Sequence, residues 1–382
     1  MRRVLQWFLA VVLVLVGCGG GSGLVAGIGG GVGSGGTGAP ASSVGAISGF
    51  GSIVVNGVRW ETDAARLVLA DADGLKLGMT VRVVGELDAE LAVGRATEVT
   101  SAAELRGMAT AIDAGAGRFS VLGIQVSADE GTVYAGGIGS LGDLREGQAV
   151  QVYGLPGTGG QLRATRVELL PGGAPVLTGT IEELDTEART FRLGTTTVRY
   201  AGAAFDPAFP ATRLANGQNV RVRTSAPGAS VDATAVEAWY TVTTEEGSRV
   251  TLSGQLEGSP GALRIDGVPV DVSSASVSGG PASALVPGVV VEAAGTVRDG
   301  VLVAERVRLR QGASSSQVFT ARGNVTSFQS VARFRVQGQW IDASAAEFIG
   351  GTADDLQRAR VLVTGTRVED DVLRATRVEF LR

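Results

Sequence analysis

Asp71 and Asp73 stand one residue apart ahead of Gly74, a spacing at which two carboxylates could meet one hard cation, as at the opening of a calcium loop. The later oxygen ligands of such a loop do not follow, so the segment reads as a solvated turn. Asp354-Asp355 and Asp370-Asp371 read likewise as turn aspartates bonded to nearby backbone. The sequence contains no histidine. That removes the commonest general base, the commonest metal ligand and every Ser-His-Asp or Cys-His arrangement. A single cysteine, Cys18, can form neither an intrachain disulfide nor a cysteine-based zinc site. No catalytic residue, metal site or cofactor is therefore expected. Recognition is left to aromatic rings and guanidinium groups. Trp60 and Trp340 are candidates for stacking on a sugar if exposed, and Arg166 and Arg377 for contacting phosphate or uronate groups. Each has a plainer reading: core packing for the tryptophans, and for the arginines an outward strand face that guards exposed edges and pairs with Glu168 or Glu379. A formal charge of -5 and a pI near 5.1 argue against a nucleic-acid partner, which requires a basic surface.

The elements that position these residues are repeated. Leu162-Arg163-Ala164-Thr165-Arg166-Val167-Glu168 returns letter for letter as Leu373 to Glu379, and looser Ala-x-x-Val copies begin at Ala96, Ala233 and Ala304. The alanines are spaced by 68, 69, 71 and 71 residues, which makes five units. Each unit opens on a Gly-initiated strand and continues into an alternating segment that ends in Gly, such as Ile53 to Gly57 or Phe334 to Gly338. The chain then turns back through Val58-Arg59-Trp60 or Gln339-Trp340-Ile341. Asn56-Gly57 and Asp266-Gly267 favour the positive φ of a tight hairpin turn.

After a variable connection, a Leu three residues before a Gly leads into a fourth strand that usually ends on Gly85, Gly154, Gly295 or Gly365, with Thr224 the exception. Arg358 replaces the turn glycine of the fifth unit, so its turn is expected to differ. The fifth strand carries the Leu-x-Ala-x-x-Val run, in which the apolar parity changes; this predicts a bulge or sharp bend there in every unit. The Thr-rich segment from Trp239 to Val250 could extend a strand from the third unit toward the fourth.

Met1-Arg2-Arg3 and the short apolar run that follows have the layout of a secretory signal, too short to span a membrane. The run ends in Leu15-Val16-Gly17-Cys18, which resembles the lipobox of bacterial lipoproteins in all four positions. The resemblance implies cleavage before Cys18, acylation of its thiol and new N-terminus, and anchoring in a bacterial envelope membrane; Gly19, where an aspartate would signal inner-membrane retention, points to the outer membrane. Residues 19–43 are mostly Gly, Ser, Ala and Thr and read as a flexible tether.

The segment from Ile47 to Arg59, followed by Leu75-Lys76-Leu77-Gly78-Met79 and the recurring Ala-Thr-x-Val, resembles the bacterial repeat family catalogued as domain of unknown function 5666. That resemblance implies an architecture and an address but no particular activity. The reading is thus an all-β chain of five tandem, small, five-stranded barrels of the oligonucleotide/oligosaccharide-binding (OB-like) type, or open sheets, after a lipoprotein signal and Gly-rich linker. The boundaries are 1–17 signal peptide, 18–43 lipidated cysteine and linker, and repeats at 44–103, 104–173, 174–240, 241–312 and 313–382. The expected function is a non-catalytic envelope lipoprotein whose repeats bind or scaffold another envelope component. The alternatives are a structural spacer and an array that binds polysaccharide or cations. The expected partners are the membrane, through the acyl anchor, and an envelope protein or polysaccharide.

Overall fold

The structure is a computed structural model that describes residues 38–157, 160–170, 172–259, 261–310 and 317–382. Leu15, Val16, Gly17 and Cys18 lie outside the described residues, as does most of the expected tether. The described residues are all-β, with short 3-10 turns and no α-helix.

Five units follow one another, each built on the plan of the first: β1 (Ala39–Phe50), β2 (Ile53–Val55), β3 (Val58–Glu61), β4 (Arg66–Leu69), β5 (Thr80–Leu87) and β6 (Val93–Ser101). β1 pairs antiparallel with β2 and β5, β2 with β3, and β5 with β6, while β3 runs parallel to β6. These pairings close a ring, so the first and last members of the sheet have no free edge. The same ring recurs in the other four units, in the third with its first strand split into Val176–Thr180 and Glu182–Asp185.

The hairpin turns follow the sequence signal. Asn56-Gly57, Leu122-Gly123, Asp266-Gly267 and Gln337-Gly338 all have positive φ at both residues, as a type I′ turn requires. The shorter third copy turns on Gly194, which alone carries the positive φ. The bulge is present in all five units: Val84 faces Glu98 but Gly85 faces Ala96, leaving Thr97 as the extra residue, and the register slips at the same place in the other copies. The glycine opposite it does not end its strand, contrary to expectation; β5 continues to Leu87. Gly85 is there because the bulge pushes the partner backbone against it. A Cβ on Gly85 or Gly295 would stand 2.0 Å from the carbonyl oxygen of Arg95 or Val303.

Three expectations are corrected. The connection before β5 contains a short additional strand, β4, which pairs parallel with β6 beyond the bulge and has a counterpart in each unit. The turn at Arg358 does not differ: Arg358 holds φ +70°, the conformation that Gly78, Gly147, Gly217 and Gly288 hold in the other copies. Trp239 to Ser248 does not extend a strand; it crosses between units as irregular chain with Trp239 and Tyr240 buried.

The units do not form a linear row. β1 begins ahead of residue 44 and pairs on its outer side with the first strand of the fourth unit, Ala41 to Val44 against Arg249 to Leu252; further along, Gly49 and Phe50 pair with Thr320 and Ala321 of the fifth. The cores fuse accordingly: units one and five share one apolar cluster, units two and three another, and unit four packs around Trp239, Tyr240, Val44 and Leu155.

Candidate functional site at the junction of the units

The polar residues of strands five and six do two different jobs, and packing between units decides which. Where a strand face is covered by another unit, its charges must find partners there, since an unpaired buried charge is strongly unfavourable. Glu104, at the boundary of units one and two, is fully buried and accepts hydrogen bonds from Thr80 Oγ1 (2.7 Å), the Gly154 amide (2.8 Å) and Arg221 Nη2 (3.2 Å). Those donors come from units one, two and three. Burial pushes the Glu104 carboxyl up to about 8, against the opposing pull of Arg221 and its other donors. Arg221 also donates to the Ala103 carbonyl and lies over the rings of Trp239 and Tyr240.

Beside it, Asp71 accepts from Arg106 of unit two (2.8 Å) and from both terminal nitrogens of Arg223 of unit three (3.2 and 3.1 Å). Although desolvation works the other way, these guanidinium groups hold its carboxyl below the usual value. Asp71 is thus an interlock between units rather than the solvated turn residue read from sequence. Gln151 carries the network on to Glu168, and Arg166 then binds Glu168 (2.7 Å), Asp371 of unit five (2.7 Å) and the Leu77 carbonyl of unit one.

The sequence candidates therefore separate. Arg166 is 0% exposed and locks three units together, so it offers nothing to a ligand. Its counterpart Arg377 is exposed and, among the described residues, pairs with Glu379 alone. Trp60 is 0% exposed, in the core of unit one. Trp340 is on the outer wall of unit five, half-buried. The structure does not gather these four into one site.

The site that sequence reading missed is a cleft of about 660 Å³ where unit four meets unit three and the crossing segment. Its walls include Thr180, Glu182, Gln218, Asn219, Trp239, Glu257 and Asp266. Asp266 is the first residue of the hairpin turn of unit four, and the tip seats it against Asn219, whose amide donates to its carboxylate. Burial pushes the Asp266 carboxyl up to about 6, and the charge of Glu257 adds to the effect, while Asn219 and the Trp239 indole oppose it. Burial also raises Glu257, less opposed by Arg264. A second cleft of about 700 Å³ shares the segment from Trp239 to Thr241 and has Arg82, Arg213 and Arg221 together with Asp206 and Glu237 among its walls. The available signal was Asp266-Gly267 itself, but that dipeptide announces only a turn. Among the described residues no group of three or more acidic side chains is arranged to hold a metal ion.

Closed rings of short strands, one bulge per copy and five copies in tandem define an all-β repeat protein. The chain belongs to the family described as Domain of unknown function (DUF5666), whose profile matches residues 43–100, 106–168, 249–308 and 322–379, more than half of the chain. The unmatched unit is the third, the one with the split first strand and with Thr224 in place of the bulge-facing glycine. No curated protein matches the chain.

Proposed function

We propose that this chain is a non-catalytic, lipid-anchored protein of the bacterial envelope whose repeat body binds another envelope component, with the acidic cleft between units three and four as its principal site. The observation that carries the reading is the seating of Asp266: a carboxyl of raised affinity for protons, held by Asn219 in a cleft that also presents Glu257. A concave site with amides, hydroxyls and a few carboxylates suits a hydroxyl-rich ligand bearing amino groups, such as an amino-sugar polymer. The anchoring half of the proposal rests on Leu15-Val16-Gly17-Cys18.

Both halves are open to direct tests. Cys18→Ser should move the protein from the membrane fraction to the soluble fraction; persistence in the membrane would sink the anchor. A ligand that binds only the folded state raises its apparent stability. Thermal unfolding of the full chain with chitosan oligosaccharides should therefore show an upward shift that Asp266→Asn abolishes. The same shift in the variant would place binding elsewhere, and no shift would leave the cleft reading without support.

A second reading, glycan cleavage in the same cleft, draws on the tight proton hold of both Asp266 and Glu257. Release of reducing ends from the same oligosaccharides would favour it.

A further inference from the structure

The hairpin of unit five differs from the others in what its tip and outer face touch. In unit one the tip residue Asn56 donates to the Val44 carbonyl and reaches Thr251 of unit four. The tips of units two and three bond one another through Thr196 Oγ1 and the Leu122 carbonyl, and that of unit four seats Asp266 on Asn219. Among the described residues, the hydrogen bonds of the unit-five hairpin, Arg333–Val336 and Gln339–Asp342, stay within its own unit.

Its inner face is core: Phe334, Val336 and Ile341 are buried. Its outer face carries Arg333, Arg335 and Trp340, with Arg335 and Trp340 directly opposite each other across the hairpin. The guanidinium carbons of Arg333 and Arg335 lie 4.3 and 4.1 Å from the centroid of the Trp340 ring. Neither arginine makes an ion pair among the described residues, and Arg335 Nε is buried with no hydrogen-bond partner. The acid two residues beyond Trp340 on the same strand, Asp342, is already taken by Arg374 and Ser344.

Several other arginines are treated differently. Arg163, Arg199, Arg223, Arg310 and Arg374 are all matched to carboxylates. A guanidinium held against an indole face keeps N–H donors at its edge, and these fit the two oxygens of a carboxylate or phosphate. The ring holds both groups in place, so less side-chain freedom is lost when an anion arrives. Two like charges held against one ring without a counter-ion also raise the local attraction for an anion.

We propose that this Arg333–Trp340–Arg335 face is a second binding site, independent of the acidic cleft, for the oxyanion groups of an acidic polysaccharide. The shared chemistry is a sugar or polyol chain bearing carboxylates or phosphodiesters, and the charge of the face selects against the amino-bearing ligands suited to the cleft.

The test is isothermal titration of the purified full chain at low salt with polygalacturonate, with poly(glycerol phosphate), with neutral dextran and with single-stranded DNA. Expected are binding of one or both anionic glycan-type polymers, weakening with added salt, and a loss of about tenfold or more in the Arg333→Gln/Arg335→Gln double variant. Preference between the first two polymers identifies the source as carboxylate or phosphate. Trp340→Phe should weaken binding less than the double variant while leaving the unfolding midpoint close to the parent's. Asp266→Asn should bind like the parent, which separates this site from the cleft. The proposal is overturned if neither anionic polymer binds, if the double variant binds as well as the parent, if dextran binds equally, or if single-stranded DNA binds more tightly than both.

Discussion

Arg166 and Arg377 occupy the same position in the same seven-letter run, yet one is fully buried between three units and the other is exposed on the last. Desolvation works against the charge of Arg166, but the hydrogen bond to Asp371 and the charge of Glu168 more than offset it. Truncating Arg166 strands those carboxylates, so Arg166→Ala should cost about 3 kcal/mol. Arg377→Ala removes a solvent-screened contact and should cost under about 1 kcal/mol. Equal losses in urea unfolding would mean that Arg166 does not join the units. No sequence rule separates the two, because the difference lies in what another copy places against them. The tryptophans are more legible. Trp60 comes three residues after the turn glycine Gly57 and Trp340 two after Gly338, so in strands of period two they must face opposite ways. Which of the two faces the core comes from the structure: Trp60 does, whereas Trp340, whose plainer reading is also core, stands on the wall.

At the scale of the element, the bulge and the hairpin were both readable because each is written locally: a parity change within one strand, a dipeptide of turn formers between two. The extra strand β4 was not, since Arg66–Leu69 gains its partner from the part of β6 beyond the bulge, a pairing distant in sequence. Arg358 shows that the shared plan outweighs local preference, holding a left-handed conformation that its neighbours assign to glycine. Arg358→Gly should therefore stabilise the protein by about 1 kcal/mol, strain relief exceeding the added freedom of the unfolded chain. Gly295→Ala should do the reverse by about 2 kcal/mol or more, because its Cβ would collide with backbone that has little room to move. Paired chemical-denaturation curves would check both signs; a destabilised Arg358→Gly would show that the side chain has a role the turn conceals.

Over the whole molecule, the five copies were legible as copies but their assembly was not. Fixed spacing suggests a row in which each unit meets only its neighbours. Instead unit one touches units four and five, and the polar network around Glu104 and Asp71 ties together units that are apart in sequence. Glu104 gives this assembly a pH dependence. Its ordinary value is 4.5 and its folded value about 8, so between them the folded state holds a proton that the unfolded chain releases. This group's contribution to stability is therefore full below 4.5 and is lost as pH rises toward 8. Between pH 5 and 8 the parent's unfolding free energy should fall more steeply than that of Glu104→Gln; parallel profiles would show that the carboxyl titrates normally.

The same arrangement has a mechanical side. The described chain enters the body through β1, which is hydrogen-bonded to β5 along Ala39 to Ala46 and, on its other side, to the fourth unit along Ala41 to Val44. A pull applied along that strand loads both ladders at once in shear, so their rungs must break together rather than one after another. A terminal strand at the rim of the last unit would instead peel open rung by rung. Tension entering from the N-terminal side thus meets two ladders before it reaches the rest of the fold.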